Sequence, residues 1–129
     1  MVIFEFIIDG PPISQEARSR ERLHTWRDVV RRRAEAYWPE DAPTASGPLQ
    51  LTITYYYEDV PAESGDIIEP ILDGLTGLVH RDHAQFLEAR VTKQDLNSSF
   101  RIPSLSPALA DGLTRGHEFL HIQIEEISI

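Results

Sequence analysis

The chain has no cysteine and a single methionine in 129 residues. The first absence excludes disulfides, thiolate nucleophiles and cysteine-ligated zinc. A metal site here must be built from carboxylates, imidazoles and backbone oxygens, a donor set that favours Mg2+ or Mn2+. Also missing is any apolar run near the roughly 20 residues that cross a bilayer. The opening MVIFEFIIDG has no basic segment ahead of its apolar residues, so it reads as a first strand and not as a secretion signal. A protein with no membrane association and a cytoplasmic location is the expectation. Positive charge is scarce as well, with 12 Lys and Arg against 21 Asp and Glu and a net charge of -9, an average unfavourable to phosphate binding.

What the chain does contain is 41% hydrophobic residues with charge of both signs, the composition of one globular domain over residues 1–129. The scarce positive charge is also unevenly placed. Arg18, Arg20, Arg22, Arg27, Arg31, Arg32 and Arg33 hold seven of the twelve cationic side chains. They can form a basic, DNA-binding face on an acidic body, or simply solvate a helix.

Period-2 patterning predicts strands near 2–8, 49–58, 85–93 and 118–128. In the second of these, Leu49, Leu51, Ile53, Tyr55 and Tyr57 share the expected core face. Helical spacing of Leu23, Trp26, Val30, Ala34 and Tyr37/Trp38 predicts a helix over about 16–38, capped by Ser14 or Ser19. A second helix is expected over 66–78, because Pro70 is tolerated only near a first turn, and a short third over 106–113. The order gives an α+β domain with one mixed or antiparallel sheet and two main helices packed on it.

Two motifs carry chemistry. The stretch ESGDIIEPILDGLTGLVHRDHAQF, residues 63–86, sets five carboxylates and two histidines around a short apolar helix pattern. In a helix starting at Asp66, residues 66, 69 and 73 fall on one face with Glu63 just ahead, and a divalent cation would relieve their mutual repulsion and activate a water for phosphodiester attack. The competing reading has Asp66 capping the helix and Asp73 answered by Arg81. The second motif, His117-Glu118-Phe119-Leu120-His121, matches the H-E-x-x-H pattern of zinc proteases. That pattern requires a helix. The isoleucines that follow favour a strand, where the two histidines stand roughly 13 Å apart by strand rise.

The run GDIIEPILDGLTGLVHRDHAQF resembles the core signature of the RusA family of Holliday-junction resolvases. That signature is Asp-x-Asp-Asn-Leu-x-Lys-Pro, then Leu-Asp-Ala-Leu-x-Gly, then Asp-Asp-x-Gln before a strand. DGPPISQEARSRERLHTWRDVVRRRAEAYW is similar to the amino-terminal part of a bacterial branch of the family. The resemblance, over about residues 5–95, implies a small homodimeric, RusA-like endonuclease that cuts branched DNA with acidic residues and Mg2+ or Mn2+. Glu63 falls at the first motif aspartate, Gly65 at the second, Asp66 at the asparagine and Glu69 at the lysine. Asp82-His83 replaces the later Asp-Asp pair, and Glu88 falls near an acidic position of the following strand. The carry-over makes Glu63, Asp66, Glu69, Asp82 and His83 the candidate catalytic residues, with Glu63, Asp66, Asp82 and His83 as metal ligands. Loss of a carboxylate at Gly65 and reversal of charge at Glu69 imply weakened or altered activity, or a catalytically inactive binding or regulatory protein.

Overall fold

Alternating apolar residues produce a single sheet, and the helices cover what the alternation leaves apolar. In the computed structural model, residues 2–58, 65–98, 101–102 and 105–127 are described; Glu63 lies outside them. The elements are β1 (Val2–Asp9), α1 (Arg20–Tyr37), β2 (Leu49–Tyr57), α2 (Ile68–Leu75), a 3-10 turn (His83–Gln85), β3 (Phe86–Asp95), α3 (Pro107–Arg115) and β4 (Phe119–Glu126). The strands form one sheet in the order β1-β4-β2-β3. β4 is antiparallel to both its neighbours, whereas β2 and β3 are parallel and joined by the α2 crossover. The sheet is therefore mixed, and the domain is α+β with three helices packed on it.

One sheet face carries the main core. Phe4, Phe6, Ile8, Leu51, Ile53, Tyr55, Leu120, Ile122 and Ile124 meet Leu23, Trp26 and Val30 of α1 and Ile71, Leu72 and Leu75 of α2. Each fully buried side chain of this kind contributes roughly 1.5–3 kcal/mol. The opposite face holds a smaller cluster of Ile7, Tyr56, Leu109 and Phe119 under α3. The expected core face of β2 is kept, with Tyr57 packed half-buried against it, and the second cluster adds to it: Tyr56 is also buried, because α3 covers the strand's other side.

The helix ends also move. Ser19, not Ser14, caps α1 by accepting from the Arg22 N–H at 3.1 Å. α2 begins two residues later than expected and stops at Leu75, where Thr76 turns the chain and Gly77 adopts φ 86°. Gly74 is required by helix packing, since a Cβ there would stand 2.8 Å from Val30 Cγ1 and 3.0 Å from the Arg27 carbonyl. That close crossing brings Arg27 of α1 over the acidic side of α2. Among the described residues, no helix is long and apolar enough to cross a membrane.

Candidate metal centre

Two local devices place the groups. On α2, Glu69 and Asp73 are four residues apart and so share a face, with Thr76 just past the helix end. His83 is delivered by the 3-10 turn, which is closed by a reciprocal cap: the Asp82 carboxylate accepts from Ala84 N at 2.8 Å, and Gln85 Oε1 accepts from Asp82 N at 3.0 Å. Gln85 also ties the turn to the loop before β2, donating through Nε2 to the Ala45 and Gly47 carbonyls at 2.8 and 3.1 Å.

The result is convergence on one imidazole. His83 Nδ1 lies 3.1 Å from Glu69 Oε1, and Nε2 lies 3.5 Å from Asp73 Oδ1 and 3.1 Å from Thr76 Oγ1. The Thr76 hydroxyl has one proton, and its shortest contact is to the Leu72 carbonyl at 2.8 Å. In a neutral His83 ring with that proton so committed, the one nitrogen lone pair faces only acceptors in either tautomer. A second ring proton or a metal ion in its place resolves this. One atom each from Glu69, Asp73 and His83 lie within 4.8 Å of one another, and Glu69 Oε2 is buried without a hydrogen-bond partner among the described residues. All three residues are partly exposed, so the site opens to solvent.

Its surroundings limit the charge. Arg27 Nε donates to Asp73 Oδ2 at 3.0 Å, leaving Oδ1 toward His83; Arg27, and not the Arg81 expected from the sequence, answers Asp73. Arg81 donates instead to Thr44 at 3.2 Å. His80 is fully buried behind the site, edge-on to Phe86 at 4.8 Å, and its Nδ1 has no partner among the described residues. Burial, reinforced by the neighbouring charge of His83, pushes His80 down to about 4, so it is neutral at pH 7.

Of the expected metal ligands among the described residues, only His83 stands in this cluster. Asp66 caps α2, its Oδ1 accepting from Ile68 N at 2.9 Å and Glu69 N at 3.2 Å. Asp82 caps the 3-10 turn. Glu69, expected to be catalytic, is present, and Asp73, legible in the sequence only as one acid of the helix face, completes the set. The Glu69–Asp73 spacing can be read from the sequence; His83 is a candidate there only through the family resemblance, and its place beside these two acids depends on the Asp82–Gln85 turn and its anchoring to Ala45 and Gly47.

The loop before α2 explains why position 65 carries no side chain. Gly65 adopts φ 98°, and a Cβ there would stand 2.9 Å from Ser14 Oγ and 3.0 Å from Glu16 Oε2. The same Glu16 accepts from the Ser14 hydroxyl and from Asp66 N at 3.0 Å, interactions that hold its carboxyl below the usual carboxylate range, the hydroxyl contributing most. An aspartate at 65 would be both strained and crowded.

The arginines divide. Arg20 donates to the Gln15 carbonyl, Arg27 to Asp73 and Gln15, Arg31 to the Thr76 carbonyl and Arg33 to the Ile7 carbonyl. Arg18, Arg22 and Arg32 are exposed, and their guanidinium groups have no ion pair among the described residues. In β4, His121 is buried with Nε2 2.6 Å from Glu5 Oε2, while His117, in the bend just ahead of the strand, has Nε2 2.9 Å from Asp9 Oδ1. The two histidines answer different carboxylates on β1, and residues 119–126 form the expected strand and not a helix. No protein-family model and no curated protein matches the chain.

Proposed function

We propose that this chain is a RusA-like protein acting on branched DNA, whose metal-dependent hydrolysis is weakened and relies on a displaced ligand set of Glu69, Asp73 and His83. The observation that carries the reading is the hydrogen-bond deficit at His83, an imidazole set between two carboxylates with the nearby hydroxyl donating elsewhere. One nitrogen and two carboxylate oxygens suit Mn2+ better than Mg2+, which prefers an all-oxygen octahedron. When bound, the ion would supply charge neutralisation at a phosphodiester and a more acidic water.

The chain's own residues then have defined parts. Glu69 and Asp73 hold negative charge at the open side of α2, and Arg27 orients Asp73 by occupying its second oxygen. Thr76 keeps His83 facing the helix. No lysine stands at position 69 to offset the approaching phosphate, which is the physical reason for slow turnover. Arg18, Arg22 and Arg32 are the cations left to meet a DNA backbone, since the other four of the basic segment hold the fold. A second reading, a protein that binds junctions without cutting them, is favoured by one observation: Asp66 and Asp82 are already committed to caps.

The test is Mn2+ titration followed by electron paramagnetic resonance, beside cleavage of a synthetic four-way junction in Mn2+ and in Mg2+. Binding of Mn2+ with slow cutting, both lowered at least about tenfold in the double variant Glu69→Gln, His83→Ala, is the expected result. Junction binding without cutting under either metal selects the second reading. Failure of the natural chain to bind junction removes both.

A further inference from the structure

His121 stands in a second place where polar side chains meet, on the sheet face away from α1 and α2. It is 5% exposed and in register with Ile7 of β1 and Thr54 of β2. Its Nε2 lies 2.6 Å from Glu5 Oε2, which also accepts from the Ser106 hydroxyl at 2.7 Å. Ser106 caps α3, so the carboxylate that orients the imidazole is itself tied to the helix above it. With Nε2 donating to Glu5, a neutral ring has its lone pair on Nδ1. That atom has no partner among the described residues and is not closed off from solvent.

Beside Nδ1 is a pocket of about 260 Å³, and His121 lines it together with Thr54, Tyr56, Arg101, Ile102, Leu109 and Gln123. Tyr56, Ile102 and Leu109 make an apolar wall, backed by Phe119, whose ring stacks on Tyr56 at 4.7 Å. The side chains of Thr54, Arg101 and Gln123 have no hydrogen bond or ion pair among the described residues. An apolar wall with a few convergent and uncommitted polar groups is the make-up of a small-molecule site.

We propose that this pocket binds a small organic monocarboxylate. Its acid group pairs with Arg101, its apolar body lies against Tyr56, Ile102 and Leu109, and a hydroxyl on it donates to His121 Nδ1. The charges decide the class. Arg101 is the one Lys or Arg among the lining residues, and the carboxylate behind the imidazole, Glu5, is already occupied by His121 and Ser106. A single negative charge is answered by Arg101, whereas a phosphate dianion would bring a second one toward Glu5. Glu5 and Ser106 are positioning residues that fix which ring nitrogen faces the ligand. The pocket lies across the sheet from the α2 site and does not depend on the nuclease reading.

The probe is meta-hydroxybenzoate, titrated into the full chain isotope-labelled at the histidine nitrogens, with the His121 Nδ1 resonance followed by NMR. A saturable shift of that resonance is expected. Benzoate, which lacks the hydroxyl, and meta-hydroxybenzyl alcohol, which lacks the charge, should each bind at least about tenfold more weakly. Arg101→Gln, at an exposed position and checked for folding by circular dichroism, should bind the acid no better than the natural chain binds the alcohol. An unmoved His121 resonance, benzoate binding as tightly as the hydroxy acid, an Arg101→Gln variant that binds like the natural chain, or tighter binding of inorganic phosphate each overturns the proposal.

Discussion

Two regions of this molecule bring histidines against carboxylates, with opposite results. At the end of α2, Glu69, Asp73 and His83 converge on one point, and their ligand atoms lie within 4.8 Å of one another. Along β1, Glu5 meets His121 of β4 and Asp9 meets His117 in the bend ahead of that strand, as two separate pairs. The residue types are the same and a four-residue spacing occurs in both. The backbone period makes the difference: a helix stacks residues i and i+4 on one face, whereas a strand carries them well over a turn's length apart. The more familiar motif, H-E-x-x-H, thus brings its histidines to no common point, whereas the side chains of the α2 stretch converge.

The largest expected difference between the regions is in acid. His80 sits neutral behind the α2 site with its folded value lowered to about 4 from 6.5. The unfolded chain binds this proton more readily, so His80 contributes stability that is complete above pH 6.5 and is lost as pH falls from 6.5 to 4. The loss should approach about 3 kcal/mol, measured by urea unfolding across that range with a chelator present. His80→Gln should flatten that limb; an unchanged slope would place the acid sensitivity elsewhere.

Next in size is the β1–β4 pair. Glu5 accepts from Ser106, the cap of α3, at 2.7 Å as well as facing His121, so Glu5→Ala leaves a buried imidazole and a helix cap without their partner. A destabilisation of about 2 kcal/mol is expected, with Mn2+ binding unaffected. A weakened Mn2+ response would show that the two regions are coupled.

Asp66→Ala sharpens the distinction inside the α2 region. As a cap it should cost about 1 kcal/mol of stability and leave Mn2+ affinity unchanged. A fall in Mn2+ affinity without a fall in stability would return Asp66 to the ligand set. The smallest effect concerns salt. Arg32→Ala should lower the slope of junction affinity against salt by about one unit for each phosphate it no longer neutralises. Arg33→Ala, whose Nε already donates to the Ile7 carbonyl, should lower stability and leave the slope alone. Equal slopes in both variants would mean that Arg32 only solvates α1.

Strand and helix order, the α+β class and the strand nature of residues 119–126 follow from local hydrophobic period, because a buried face must repeat with the backbone. Local caps are legible too: Asp66 ahead of a helix start is a capping residue by type, and Ser19 is one of two candidates. Tyr56 escapes such reasoning because its burial comes from α3, some 50 residues along the chain, and no pattern within β2 announces that cover.

For the candidate centre, the sequence by itself determined that Glu69 and Asp73 share a helix face, since that follows from the helical repeat alone. It also determined that any metal here is held by oxygen and imidazole, since there is no cysteine. Only the tertiary structure decided that His83 stands beside Glu69 and Asp73, that Arg27 and not Arg81 balances Asp73, and that four of seven arginines donate to acceptors within the fold. Those outcomes depend on the close crossing of α1 over α2 at Gly74 and on Gln85 anchoring a turn to a loop some 40 residues away. Packing sets which distant segments meet, and packing has no period to read along a chain.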